Sequence, residues 1–173
     1  MRKIIYGPPG TGKTYYLMNE LEKFLEKVDP SKIGYFTFSK NAAQEGKSRA
    51  MEKFNLTDKD LPYFRTLHSF CFNLLGLKKE NVMQEKDYRD LGKDIQIEFE
   101  GIRYDNDHEG VLHSKDPYIS LISLARNKRI SPLELYNRNG NNYNITYDKL
   151  EIINKELYRY KKHKGLIDFI DML

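Results

Sequence analysis

Residues 3–14 read Lys3-Ile4-Ile5-Tyr6-Gly7-Pro8-Pro9-Gly10-Thr11-Gly12-Lys13-Thr14, and this stretch decides how the rest of the chain is read. The first four residues form a short β-rich run. Gly7-Pro8-Pro9-Gly10-Thr11-Gly12-Lys13-Thr14 then matches G-x-x-x-x-G-K-[ST] in full. From Lys13 on, Tyr16, Leu17, Leu21, Phe24, Leu25 and Val28 recur at helical spacing, predicting an amphipathic helix that Asp29-Pro30 stops. A strand, a glycine loop and a helix in that order form a phosphate cradle. The glycines let successive backbone N–H groups converge on phosphate oxygens, and the helix adds its positive dipole end. Lys13 is expected to reach the β- and γ-phosphates of a nucleotide, and Thr14 to present its hydroxyl to Mg²⁺, which gives both residues catalytic roles. The competing reading is a glycine-rich turn with no ligand.

Working outward, Ile33 to Phe38 is rich in aromatic and β-branched residues and predicts a second strand. Asn41 is expected to cap a helix from Ala42 to about Phe54. Leu61-Pro62-Tyr63-Phe64-Arg65 predicts a short third strand. Thr66 then caps a helix carrying Leu67, Phe70, Cys71, Leu74 and Leu75, which Gly76 terminates. Three strand–loop–helix units imply an α/β fold of the P-loop class, a parallel sheet with covering helices.

After Leu77 the character changes. Residues 78–116 carry 7 basic and 11 acidic groups, leaving 22 basic and 14 acidic in the rest of the chain. That surplus is compatible with a phosphate-bearing partner and is also ordinary for a lysine-rich protein. Gly101, Asn106 and Gly110 punctuate the acidic stretch, and residues 118–138 predict two helices split before Ser131-Pro132. Residues 137–144 read as a turn or mobile loop. Tyr147 to Lys162 predicts a basic helix, and Leu166 to Leu173 a further apolar helical segment. The expected domains are 1–77, the first part of an α/β core; 78–164, a mostly helical inserted subdomain; and 165–173, a return helix to the core.

No apolar run approaches the ~20 residues that span a bilayer, and a single cysteine, Cys71, excludes an internal disulfide or a cysteine metal cluster. With 22 aromatics (13 Tyr, 9 Phe) among 173 residues, the chain is too aromatic for a disordered one. A cytoplasmic protein, of a bacterium or a phage-infected cell, is expected.

Hydrolysis needs an acidic residue at the end of a second strand to hold Mg²⁺. Leu166-Ile167-Asp168-Phe169-Ile170-Asp171 is the nearest candidate. Its spacing instead predicts a helix with one apolar face and Asp168 and Asp171 solvated on the other.

Three segments give the chain a resemblance to the UvrD/Rep-like superfamily 1 DNA helicases: the phosphate loop; Phe36-Thr37-Phe38-Ser39-Lys40-Asn41-Ala42-Ala43 with Glu45 and Arg49, similar to T-F-T-N-K-A-A-x-E-M-x-x-R; and Arg65-Thr66-Leu67-His68-Ser69-Phe70-Cys71, similar to [GR]-T-[IL]-H-S-F-C. Gly165 to Leu173 looks like the family's L-D-F-D-D-L-L helix. The resemblance implies the N-terminal part of a RecA-like domain with a helical insertion. It also implies ATP and Mg²⁺ as cofactors and a role in DNA repair or replication. Single-stranded DNA, or a junction of single and double strands, is the implied partner. Phe38, Ser39, Lys40 and Asn41 carry over as strand contacts, with Thr66 and His68 beside them. An aromatic face with basic and amide groups at a helix start suits that task, although a core aromatic closing the second strand is the alternative for Phe38. The order Lys40-Asn41 reverses the family's Asn-Lys. The metal-binding Asp-Glu, the arginine finger and the second motor domain are expected after Leu173, in cis or on a partner chain, so the chain alone is expected not to hydrolyse ATP. Two other functions remain open: a small P-loop kinase with Arg126-Asn127-Lys128-Arg129 as its lid, and a fragment that binds nucleotide or DNA without turnover.

Overall fold

The computed structural model describes residues 2–99, 103–104, 112–139 and 145–173. The chain divides into two units, Met1–Phe70 and Cys71–Leu173. Both are rich in helix, and the first contains a small parallel sheet.

In the first unit, α1 (Lys13–Leu25) buries Met18 and Leu21 on one stripe. Leu17 and Phe24, expected on its apolar face, are exposed, so only part of that face is used. Helix α1 ends at Leu25, ahead of Asp29-Pro30, and the Asp29 carboxylate accepts from the Ser31 N–H at 2.8 Å to cap a separate short 3-10 turn, Pro30–Lys32. Strand β1 (Tyr35–Thr37) follows, then α2 (Lys40–Phe54), and β2 (Phe64–Thr66) pairs parallel with β1. The register sets Tyr35 opposite Phe64, Phe36 opposite Arg65 and Thr37 opposite Thr66. The Tyr35 and Phe64 rings stack with centroids 5.1 Å apart.

Helix α2 lies close to this sheet because Ala43, Gly46 and Ala50 form a buried stripe of small residues at helical spacing. A Cβ on Gly46 would lie 2.3 Å from Cε1 of Tyr35, so only glycine fits there. The cap of α2 is Ser39, not Asn41. Ser39 has an extended backbone, and its hydroxyl accepts from the Ala42 N–H at 3.2 Å; Asn41 already sits in the first turn and is exposed. Around these elements Met18, Leu21, Ala50, Leu61 and Phe64 form the core, and Lys53 ties α2 to Asn19 and Glu22 of α1 at 3.1 and 3.0 Å.

The strand expected at residues 3–6 is not formed. Ile4 is 59% and Tyr6 88% exposed, and only β1 and β2 pair in this unit's sheet among the described residues. A parallel strand is stable only where neighbours satisfy its backbone and helices cover both its faces. A two-stranded sheet with α2 on one face gives this four-residue run neither. The third predicted strand is present but shifted toward its C-terminus, with Leu61 fully buried ahead of it.

Helix α3 (Leu67–Leu74) begins in the first unit, capped as expected: the Thr66 hydroxyl accepts from the Ser69 N–H at 3.1 Å. Gly76, at φ +62°, follows its end. Cys71 is half-buried.

In the second unit, α4 (Glu85–Asp94) precedes a short antiparallel pair, β3 (Arg103–Tyr104) and β4 (Leu112–His113). Then come α5 (Pro117–Asn127), α6 (Pro132–Asn139) and α7 (Tyr147–Lys164). The break between α5 and α6 falls where Ser131-Pro132 predicted it. The Asp116 carboxylate caps α5 by accepting from the N–H groups of Tyr118 and Ile119, both at 3.0 Å, and Gly165 at φ +64° stops α7. Met83, Leu91, Ile119, Ile122, Leu135, Leu150 and Ile153 are fully buried between these helices. Gly101, Asn106 and Gly110 lie outside the described residues, as do 140–144 of the expected loop, whose first residues 137–139 instead close α6.

The last residues do not form the amphipathic helix expected. Ile167 bridges Val82 as a parallel strand pair, with the Met83 N–H donating to the Ile167 carbonyl at 2.8 Å, and only Phe169–Met172 turn, as a 3-10 helix. Among the described residues no helix is long and apolar enough to cross a membrane.

Candidate functional site

The glycine loop is set by its own backbone and by Lys13. Gly10 and Gly12 sit at φ +80° and +79°, where a side chain would be strained, and a Cβ on either would point into open space. Gly7 is constrained differently: its Cβ would lie 2.6 Å from the Thr11 hydroxyl. That hydroxyl donates to the Pro8 carbonyl at 2.8 Å. The Lys13 ammonium folds back over the loop and donates to the carbonyls of Gly7 at 2.7 Å and Pro8 at 2.5 Å. Gly12 begins α1 with no side-chain cap, and no acidic residue lies in the first turn. The N-terminal N–H groups and the dipole of α1 thus combine with an ammonium to favour an anion. Thr14, in that first turn, is half-buried.

The other expected contacts cluster through the strand register. Because Thr37 and Thr66 are partners in a parallel pair, the chain leaves β1 and β2 at the same end of the sheet. From β1 it passes through Phe38 and Ser39 into Lys40 and Asn41 at the start of α2. From β2 it passes through Thr66 to His68 in the first turn of α3. Phe38 is 76% exposed, so it does not close the core, and Lys40 and Asn41 are exposed beside it. Thr66 is buried and His68 half-buried. The Thr37 hydroxyl donates to the Ser39 carbonyl at 2.8 Å and fixes the corner between strand and helix. Both groups of residues thus sit at helix N-termini within the first unit. The glycine loop is held by α1 rather than by a strand of its own.

Asp168 and Asp171 do not project into solvent as the helical spacing predicted. Asp168 is 4% exposed and receives hydrogen bonds from Arg126 at 2.5 and 3.1 Å and from Lys161 at 2.7 Å. Asp171 binds the same two cations, Lys161 at 2.7 Å. Burial by itself raises the Asp168 carboxyl, but Arg126 and Lys161 overcome it and hold the group down at about 2. The physical reason is tertiary. Residues 166–167 run extended beside Asn81–Met83, which turns both carboxylates toward the ends of α5 and α7. Arg126 is therefore committed to an ion pair rather than to a lid, and Lys161 is a buried residue of a helix otherwise read as a solvated basic face. Only the mixture of acids near 168 and bases near 161 hinted at this cluster.

Two parallel strands each feed a helix N-terminus at one end of the sheet, and a glycine loop closed by Lys13 precedes α1. A profile described as the UvrD/REP helicase N-terminal domain matches residues 2–173, and the chain belongs to that family. It is similar to a probable DNA helicase II homolog of Mycoplasma genitalium, 29% identical over 174 aligned residues that cover 89% of this chain and 24% of the relative. A second relative is a probable DNA helicase II homolog of Mycoplasma capricolum. It is 32% identical over 96 residues, covering 54% of this chain and 13% of the relative. The chain thus spans about a quarter of the length of the first relative and about an eighth of the second. No solved structure matches it.

Proposed function

We propose that the chain supplies the nucleotide cradle and part of the strand track of an ATP-dependent DNA-translocating motor, as the first part of a RecA-like domain. One observation carries this reading: Lys13 closes over the loop carbonyls of Gly7 and Pro8 at the uncapped N-terminus of α1. A triphosphate would exchange those carbonyls for phosphate oxygens as partners of the ammonium, with the backbone of Gly7, Pro8, Pro9, Gly10, Thr11 and Gly12 around it. Thr14 would give Mg²⁺ one oxygen. Among the described residues no cluster of three or more His, Cys, Asp or Glu could hold a metal ion, so the ion is proposed to arrive with the nucleotide. Bound there, ATP–Mg²⁺ supplies the phosphoanhydride whose cleavage powers stepping.

Phe38, Ser39, Lys40 and Asn41, with Thr66 and His68 nearby, are proposed to hold single-stranded DNA. The Phe38 ring would stack on a base, and the N-terminus of α2 would hold backbone phosphate. The chain by itself is proposed not to turn over ATP. Asp168, its nearest candidate for the metal-holding acid, is consumed by Arg126 and Lys161. The remaining motor segments, in cis or on a partner, would complete both sites.

The test is nucleotide binding to the full chain, read with a fluorescent ATP analogue, beside a titration with single-stranded DNA over salt. Binding of the analogue that Lys13→Ala weakens by tenfold or more, about 1.4 kcal/mol, supports the cradle. An unchanged affinity refutes it. Strand binding that weakens steeply with salt supports the track, and nucleotide binding with no DNA binding at low salt favours the small-kinase reading.

A further inference from the structure

An ammonium has N–H groups only to donate, and the glycine loop turns three of its own oxygens toward that of Lys13. These are the Gly7 carbonyl at 2.7 Å, the Pro8 carbonyl at 2.5 Å and, more loosely, the Thr11 hydroxyl at 3.5 Å. We propose that the Thr11 hydroxyl is a latch on this carbonyl-in form of the loop, so that Thr11 sets how fast a triphosphate enters. This rests on the triphosphate reading of the Gly7–Thr14 loop and adds a positioning residue that acts on Lys13 and the Pro8 carbonyl before the ligand arrives.

The direction of the dipoles is the first argument. A loop holds phosphate when its backbone N–H groups converge on the anion. Here two carbonyls converge on a cation instead, and a triphosphate must take Lys13 from them. The Pro8 carbonyl also accepts from the Thr11 hydroxyl at 2.8 Å. A carbonyl oxygen has two lone pairs, and the ammonium and the hydroxyl occupy both. With its proton on Pro8, the hydroxyl keeps its own lone pairs for Lys13. One side chain thus fixes the carbonyl and completes the ring of oxygens around the ammonium.

Room is the second argument. A Cβ on Gly7 would lie 2.6 Å from the Thr11 hydroxyl, so that hydroxyl fills the space a side chain at Gly7 would need. Thr11 is exposed, yet its hydroxyl turns back onto a carbonyl three residues earlier rather than outward to solvent. The third argument is energetic. The contacts of the hydroxyl with Pro8 and Lys13 belong to the carbonyl-in form, because a bound triphosphate takes the ammonium for itself. Removing the hydroxyl therefore weakens that form alone. Apparent affinity falls with the fraction of the loop that is ready to bind, and one exposed hydrogen bond shifts that fraction by about threefold.

The experiment follows association and dissociation of a fluorescent ATP analogue with the full chain by stopped flow, for the parent, Thr11→Val, Thr11→Ser and Lys13→Ala. Valine keeps the branched side chain and loses the hydroxyl, whereas serine keeps the hydroxyl. The exposure of Thr11 leaves the fold intact in both, which far-UV circular dichroism verifies. Thr11→Val is expected to speed association about threefold and to tighten binding by the same factor, with dissociation unchanged, while Thr11→Ser behaves as the parent. A merely structural role would slow association or speed dissociation. Thr11→Val that associates no faster, or Thr11→Ser that behaves like Thr11→Val, overturns the latch. If Lys13→Ala weakens binding while Thr11→Val associates no faster, the cradle stands and only the latch falls. If Lys13→Ala leaves the affinity unchanged, or the analogue does not bind at all, the cradle reading falls and the latch with it.

Discussion

Replacing Asp168 by Asn isolates the electrostatic part of the ion cluster that holds the end of the second unit. Asn keeps the size of the side chain and an oxygen to accept from the N–H groups of Ile170 and Asp171, which Asp168 now caps at 3.0 Å each. It removes the charge that faces Arg126 and Lys161. Burial raises the Asp168 carboxyl, the two cations lower it further, and the balance moves it from its ordinary 3.8 to about 2. At about 1.4 kcal/mol for each pH unit, that displacement corresponds to about 2 kcal/mol of folding free energy. Because the folded-state value is the depressed one, this stabilisation is fully present above about pH 4 and is lost as the pH falls toward about 2. Asp168→Asn is therefore expected to lower stability by about 2 kcal/mol at neutral pH, and the gap between variant and parent should close on acidification. Urea unfolding followed by far-UV circular dichroism, repeated from about pH 7 down to about pH 2, measures it. A gap of the same size at both extremes would mean that the loss is one of packing or capping, and the ion-pair account would be wrong.

Gly46→Ala should destabilise the first unit by about 1–3 kcal/mol, since its methyl would meet the Tyr35 ring at 2.3 Å; a thermal melt unchanged from the parent would show that α2 does not approach β1 as described. Phe38→Ala should leave the melting temperature alone, because the ring is 76% exposed. It should cost about 1–3 kcal/mol of single-strand affinity at fixed salt, and an unchanged titration would remove Phe38 from the strand track.

Local chemistry was readable residue by residue. The glycine loop ahead of α1, the Thr66 cap of α3 and the break before Ser131-Pro132 all rest on backbone preferences confined to a few neighbouring positions. Positive φ at Gly10, Gly12 and Gly165 is of the same kind. The resemblance carried by the segments at 36–49 and 65–71 reached the right family for the same reason, since each is a strand end joined to a capped helix start and is legible without its partners.

What failed depended on distant residues. Residues 3–6 have strand composition but become a strand only if something pairs with them, and pairing is not a property of four residues. Asp168 and Asp171 looked solvated because a 3.6-residue period was assumed, whereas the bridge from Ile167 to Val82 holds that segment extended and turns both carboxylates onto Arg126 and Lys161. The tie of Lys53 on α2 to Asn19 and Glu22 on α1 likewise joins residues 34 and 31 positions apart. Short-range steric and hydrogen-bonding rules act along the chain and were written in its order of residues. Burial, ion pairing and cavity shape act through space between residues far apart in that order, and only the folded arrangement decided them.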